Sequence, residues 1–129
     1  MRLLIDTHVA IWAIAESARL PKHIKELISA PENTVFISSA SLLEVAIKSR
    51  LNRRSAPPFS AGFAHKHLTA AGFLFLPVTA EHVLAVEALQ LDHGDPFDRL
   101  ILAQAVTEPL RLVTRDRKLA TYDPSVISW

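Results

Sequence analysis

The stretch Arg2-Leu3-Leu4-Ile5-Asp6-Thr7 constrains this chain more than any other. Three large aliphatic residues in a row, closed by an acid and a hydroxyl, predict a strand that stops at a carboxylate. A strand buried on both faces is continuously apolar, as in a parallel sheet covered by helices, whereas a half-exposed strand alternates. In open α/β sheets, ligands collect at the carboxyl ends of the strands, and Asp6 stands at such an end.

The rest of the chain supports that architecture. Val9 to Ala15 predicts a helix apolar on nearly every side, and Pro21 opens a second with Ile24, Leu27 and Ile28 on one face. Thr34 to Ser38 predicts a strand, Ser39 to Arg50 a helix, and residues 51–58 a loop. A helix over Ser60 to about Ala71 closes on Gly72, and Phe73 to Val78 predicts a strand placed at a sheet edge by Pro77. Thr79 to Leu89 is helical, Asp92-His93-Gly94 irregular, and Asp95-Pro96 begins a strongly apolar helix through about Val106. Arg111 to Thr114 predicts a strand, Arg115 to Ala120 a short helix, and Val126 to Ser128 a last strand. Strands alternating with helices predict a three-layer α/β/α sandwich with a mostly parallel central sheet, spanning residues 1–129 as one domain.

Composition narrows the chemistry. Without cysteine there are no disulfides, thiolate zinc sites or cysteine nucleophiles, so any metal must be held by oxygen or imidazole. A formal charge of +1 does not mark a bulk nucleic-acid binder. No apolar run is long enough to span a bilayer, and Asp6 and His8 interrupt any leader-like segment. The expectation is a cytoplasmic domain with no membrane contact.

Four carboxylates stand just past strands or in the first turns of helices: Asp6, Glu44, Asp98 and Asp116. Each has a structural explanation of its own. Ser41-x-x-Glu44 spells a capping box, Asp95-Pro96-Phe97-Asp98 an N-cap with a first-turn acid, and Asp6 and Asp116 suit caps for the helices after them. Together they imply more, because strand-to-helix junctions of a parallel sheet share one end. Gathered carboxylates repel, and a hard divalent cation such as Mg²⁺ or Mn²⁺ resolves that repulsion with oxygen ligands. Such an ion activates water and neutralises a phosphate under attack. Two basic groups accompany the acids: Lys48, Arg50, Arg53 and Arg54, then Arg111, Arg115, Arg117 and Lys118. The second group suits phosphate steering, and Arg99 is placed to hold Asp98 ionised. Trp12, on an apolar helix, reads first as core, and His65 and His67 as solvated.

Phosphate-cradling glycine loops, a nucleophile elbow and a zinc-type histidine pair are all missing from the sequence. A signalling receiver domain is disfavoured, since Ile5-Asp6-Thr7 supplies only one acid and no Asp follows Phe36-Ile37.

The chain resembles the PIN-domain ribonucleases, and within them the VapC-type toxins of prokaryotic type II toxin–antitoxin systems. The resemblance is carried by Leu3 to His8, by Ser39 to Glu44 with Lys48, by His93 to Ala105 and by Thr114-Arg115-Asp116. It implies metal-dependent endonucleolytic cleavage of RNA, with Asp6, Glu44, Asp98 and Asp116 forming the acidic pocket for Mg²⁺ or Mn²⁺. It further implies Thr7 and Thr114 as supporting hydroxyls, Asp95 as an extra acid, and Arg99, Arg115 and Arg117 as substrate contacts. A homodimer, and a cognate antitoxin occupying a groove that leads to the acids, are also implied. Where many relatives carry Lys, this chain has His93-Gly94, and a looser loop is expected there. The rival function is a non-catalytic RNA- or protein-binding module of the same fold; by chemistry the nearest rival is a DNA nuclease, since nothing in the sequence reads a 2′-hydroxyl.

Overall fold

The protein, seen here in a computed structural model, is described over residues 1–51, 56–89 and 94–129. Expectations at residues 52–55 and 90–93, which include Arg53, Arg54, Asp92 and His93, lie outside the described residues.

Among the described residues, four strands form one sheet: β1 (Arg2–Ile5), β2 (Thr34–Ser38), β3 (Leu74–Leu76) and β4 (Arg111–Val113). Their order is β3-β2-β1-β4, and every neighbouring pair is parallel. The helices are α1 (Thr7–Ala15), α2 (Lys22–Ser29), α3 (Ser39–Arg50), α4 (Ala61–Ala70), α5 (Ala80–Ala88), α6 (Pro96–Thr107) and α7 (Arg117–Ala120), with a 3₁₀ turn at Ser17–Arg19.

The apolar run of β1 explains the layering. Leu3, Leu4 and Ile5 are all fully buried because successive side chains leave opposite faces of the strand. Leu3 and Ile5 join Val35, Ile37 and Val113 in one core, covered by Val9 and Ala10 of α1, Ile24 of α2 and Ala64 and Leu68 of α4. Leu4 and Leu112 face the other core, against Ile101, Leu102 and Ala105 of α6 and Leu119 of α7. Each such side chain contributes about 2 kcal/mol of burial free energy. The sandwich is thus three layers deep.

Two strand expectations shorten. β3 keeps only Leu74–Leu76, because Pro77 has no N–H to continue a ladder; as expected, it is an edge strand. Val126–Ser128 does not form a strand. After a turn in which Asp123 accepts the Ser125 and Val126 amides, only Ile127 comes into register, bridging Val113.

A buried polar strut joins α5 to α6. His82, nearly inaccessible, accepts the Thr79 amide on Nδ1 at 3.0 Å and completes a capping box with the Thr79 hydroxyl. Its Nε2 faces the Glu108 carboxylate at 3.6 Å, where α6 ends. Gln104 lies 3.4 Å from His82 Nδ1 and donates to the Pro77 carbonyl at 3.4 Å.

Candidate active site

The site forms where β1 and β4 end side by side. Ile5 pairs with Val113, so the next residues, Asp6 and Thr114, are brought together at the carboxyl end of the sheet. The Asp6 amide donates to the Val113 carbonyl at 3.1 Å, extending the pairing by one bond.

Asp6 caps α1, its Oδ1 accepting the Val9 amide at 2.9 Å, a bond of the kind that stabilises a helix start by about 1 kcal/mol. The Thr114 hydroxyl donates to Oδ2. That same hydroxyl accepts the Asp116 amide at 3.0 Å, and Asp116 accepts the Lys118 amide at 2.9 Å to cap α7. Burial pushes the Asp6 carboxyl above its ordinary pKa; the Thr114 and Val9 bonds and nearby His8 pull it back, while the Glu44 charge pushes it further up. An acid in this position gains from any cation brought beside it.

Glu44 departs from its expected capping role. α3 begins at Ser39, with Ser38 as the cap accepting the Ala40 amide at 3.0 Å. Ser41 therefore lies inside the helix, where it accepts a hydrogen bond from the buried Thr7 hydroxyl at 2.8 Å and ties α1 to α3. Glu44, itself buried, pairs through Oε2 with Lys48 at 2.5 Å, one helical turn on. Its Oε1 is buried with no hydrogen-bond partner among the described residues. A buried, unpartnered carboxylate oxygen is costly unless something positive completes it.

Asp95 caps α6, accepting the Phe97 amide at 2.9 Å and the Asp98 amide at 3.4 Å, which sets Asp98 in the first turn. Asp98 and Asp116 line, with Asp6, His8, Trp12 and Arg115, a depression of about 300 Å³. Glu44 and Lys48 line an adjoining depression of about 390 Å³ with Thr7, Ile11, Arg19 and Pro57. Among the described residues no three Asp, Glu or His side chains are grouped closely enough to chelate an ion by themselves. The acids expected at a single point thus occupy two neighbouring hollows, because Glu44 sits more than a turn into α3 and leans toward Lys48.

The basic cluster around Asp116 divides. Arg115 is exposed at the depression and Arg117 is exposed on α7. Arg111 belongs to the opposite end of β4, where its Nε donates to the Ser125 carbonyl at 2.9 Å. Arg99 does not line either hollow, and its Nε is buried without a hydrogen-bond partner among the described residues. Sequence reasoning placed His8 near the expected edge without giving it a role, and read Trp12 as core rather than as a site-lining residue. Their only signal was spacing: His8 and Trp12 are four apart on a helix that starts at the first acid.

The donor set fits a hard cation. All the candidate ligands are carboxylate or hydroxyl oxygens, Asp6 is burdened by burial and the Glu44 charge, and Glu44 holds an unpartnered oxygen.

Known proteins resemble this chain in sequence and in fold. Residues 3–123 match the PIN domain family model. The chain is 30% identical over 131 residues to ribonuclease VapC22 of Mycobacterium tuberculosis, covering 93% of this chain and 91% of the relative. Its fold matches DNA-bound VapBC from Salmonella typhimurium at a TM-score of 0.71 and 18% identity, over 100% of this chain and 97% of the other. It also matches VapBC2 from Rickettsia felis, solved with a promoter DNA fragment, at 0.70 and 21%, over 100% and 98%. With an all-parallel sheet whose central strand ends in a buried acid and a family match over nearly the whole length, this chain belongs to the PIN-domain family as one of its VapC-type members.

Proposed function

We propose that this protein is a metal-dependent endoribonuclease and the toxin component of a type II toxin–antitoxin system, acting in the cytoplasm as one domain over residues 1–129. The observation that carries the reading is the buried Asp6 carboxylate, braced by Thr114 and Val9 beside the half-satisfied Glu44, in a chain related to a ribonuclease.

In this reading Asp6, Glu44, Asp98 and Asp116 hold Mg²⁺ or Mn²⁺. When bound, such an ion supplies Lewis acidity, easing deprotonation of water and offsetting charge on the phosphate. The chain's own contribution is placement. Thr114 fixes the Asp6 carboxylate while anchoring the Asp116 backbone, so two acids move as one unit. Thr7, through Ser41, sets the distance between the helix behind Asp6 and the helix bearing Glu44. Lys48 holds one Glu44 oxygen and leaves the other available. Asp95 orients the turn that presents Asp98, and Arg115, with Arg117 and Arg99 farther out, attracts the phosphate backbone.

The partners proposed are an RNA substrate, a second copy of the chain and an antitoxin protein. Helix α3 supports a protein partner, since Leu43, Ile47 and Leu51 recur at four-residue spacing with roughly half of each exposed, at 55%, 47% and 49%. The structural neighbours include VapBC complexes.

The test is cleavage of a labelled mixed RNA pool with Mg²⁺, with Mn²⁺ and with EDTA, for wild type and Asp98→Asn. Cutting that needs the ion and disappears in the variant is the expected result. RNA binding without cutting under any condition, by protein free of antitoxin, transfers the assignment to a non-catalytic module.

A further inference from the structure

We propose that His8 and Trp12 form a stacking platform for a nucleobase beside the acids. The proposal rests on the RNA-cleaving reading above and names two residues that would hold a base of that substrate.

The two rings share a face of α1, their centroids 5.8 Å apart and their planes tilted by 45°. His8 is exposed and Trp12 half-buried. Among the described residues, they are the two that line both hollows, the one with Asp6, Asp98 and Asp116 and the one with Glu44 and Lys48. They therefore form the ridge that anything spanning the acids must cross. The Arg19 guanidinium lies over the indole, 5.5 Å from its centroid, and is itself held by Glu16 at 2.7 Å. That contact helps to fix the indole's orientation.

The surroundings match what a single strand offers. Phosphates need cations, and Arg115, Lys48 and Arg19 stand along the two hollows. Bases need flat apolar faces, and the ring pair lies between those cations with Ile11, Ala15, Pro57 and Pro58 beyond it. Groove cations interleaved with rings are the pattern by which proteins hold single strands. A duplex cannot use such a ridge, because each base face is already covered by its neighbours. Core packing alone accounts for part of Trp12, which touches the larger core, but gives no reason for an exposed imidazole against it.

The experiment uses the Asp98→Asn protein carrying Trp129→Phe, so that Trp12 is its one indole. Oligouridylate, an abasic ribose-phosphate oligomer of the same length and a blunt RNA hairpin are titrated while indole fluorescence and affinity are followed. Oligouridylate is expected to quench the indole and to bind about tenfold more weakly after His8→Ala. His8→Phe is expected to keep the affinity, and the abasic oligomer to ignore both substitutions. Equal losses for both oligomers after His8→Ala, an affinity not kept by His8→Phe, or binding without quenching overturns the platform while leaving the nuclease assignment intact. No binding of any RNA, together with no cleavage by the wild type, overturns both.

Discussion

Both ends of the sheet carry hollows, and what separates them is the presence of acids. At the amino end, Ala13, Leu20, Ile28, Val35 and Phe73 line a space of about 570 Å³ in which Lys25 is the one charged side chain among the described residues. At the carboxyl end the hollows are smaller, yet buried acids, hydroxyls and a lysine are bonded to one another there. Size therefore does not identify the site; unresolved electrostatics does. The amino end is quiet because no acid lines it among the described residues, and polar side chains there, such as Ser29 and Asn33, are bonded to backbone carbonyls. At the carboxyl end a raised carboxyl and an unpartnered carboxylate oxygen are tolerated, a pattern concentrated at functional sites.

The contrast predicts opposite signatures for substitutions at the two ends. The largest effect belongs to Asp6→Asn or Asp98→Asn, each expected to lower RNA cleavage about a thousandfold, several kcal/mol of transition-state stabilisation, with the fold intact by circular dichroism. Asp6→Asn carries a second readout. Because burial raises the Asp6 pKa above 3.8, the folded state binds a proton the unfolded state has lost, so wild-type stability falls as pH rises through that window. In EDTA, thermal melting should show Asp6→Asn more stable than wild type near neutral pH, with the advantage fading as pH falls toward 3.8. Added Mn²⁺ should raise the wild-type Tm and leave that of the variant unmoved.

Next in size is Ile24→Ala, behind the amino end, where the residue is fully buried. It should cost about 3 kcal/mol in chemical denaturation while cleavage per folded molecule stays at the wild-type rate. A matching loss of activity would erase the distinction between the ends. Lys48→Met comes third, removing the cation from a buried carboxylate; about 2 kcal/mol of stability should be lost, with Mn²⁺ restoring part of it. The smallest effect is expected for Arg115→Ala, a severalfold weaker RNA affinity whose deficit shrinks as salt is raised. A salt-independent deficit would assign Arg115 to the fold instead.

The sequence made the quiet part of the molecule easiest to read. Leu3-Leu4-Ile5 could serve one purpose, and the two-sided core comes from that run. The edge placement of β3 was legible because proline denies a donor. The active end was harder, because polar side chains have several local uses. The bounds of α3, Ser39 to Arg50, were legible, but Ser41-x-x-Glu44 matches a capping box although both residues lie inside that helix, and the motif concealed the pairing of Glu44 with Lys48. Arg111 looked like a neighbour of Asp116 because a strand of three residues hides how far apart its two ends lie. His82 was invisible for a different reason: its burial depends on α5 meeting α6, which no local pattern encodes.

That strut has a mechanical consequence. Helix α6 carries Asp98 in its first turn and is bolted near its last by Gln104 and Glu108, against Pro77 and His82. Asp98 and Glu108 are separated by roughly 15 Å of rigid helix at 1.5 Å per residue. Ile101, Leu102 and Ala105 seat the middle of the helix in the core, so the polar strut at its far end and the turn that carries Asp98 belong to one rigid piece. In the proposed nuclease, the placement of Asp98 would thus depend in part on His82, a residue that lines neither acidic hollow.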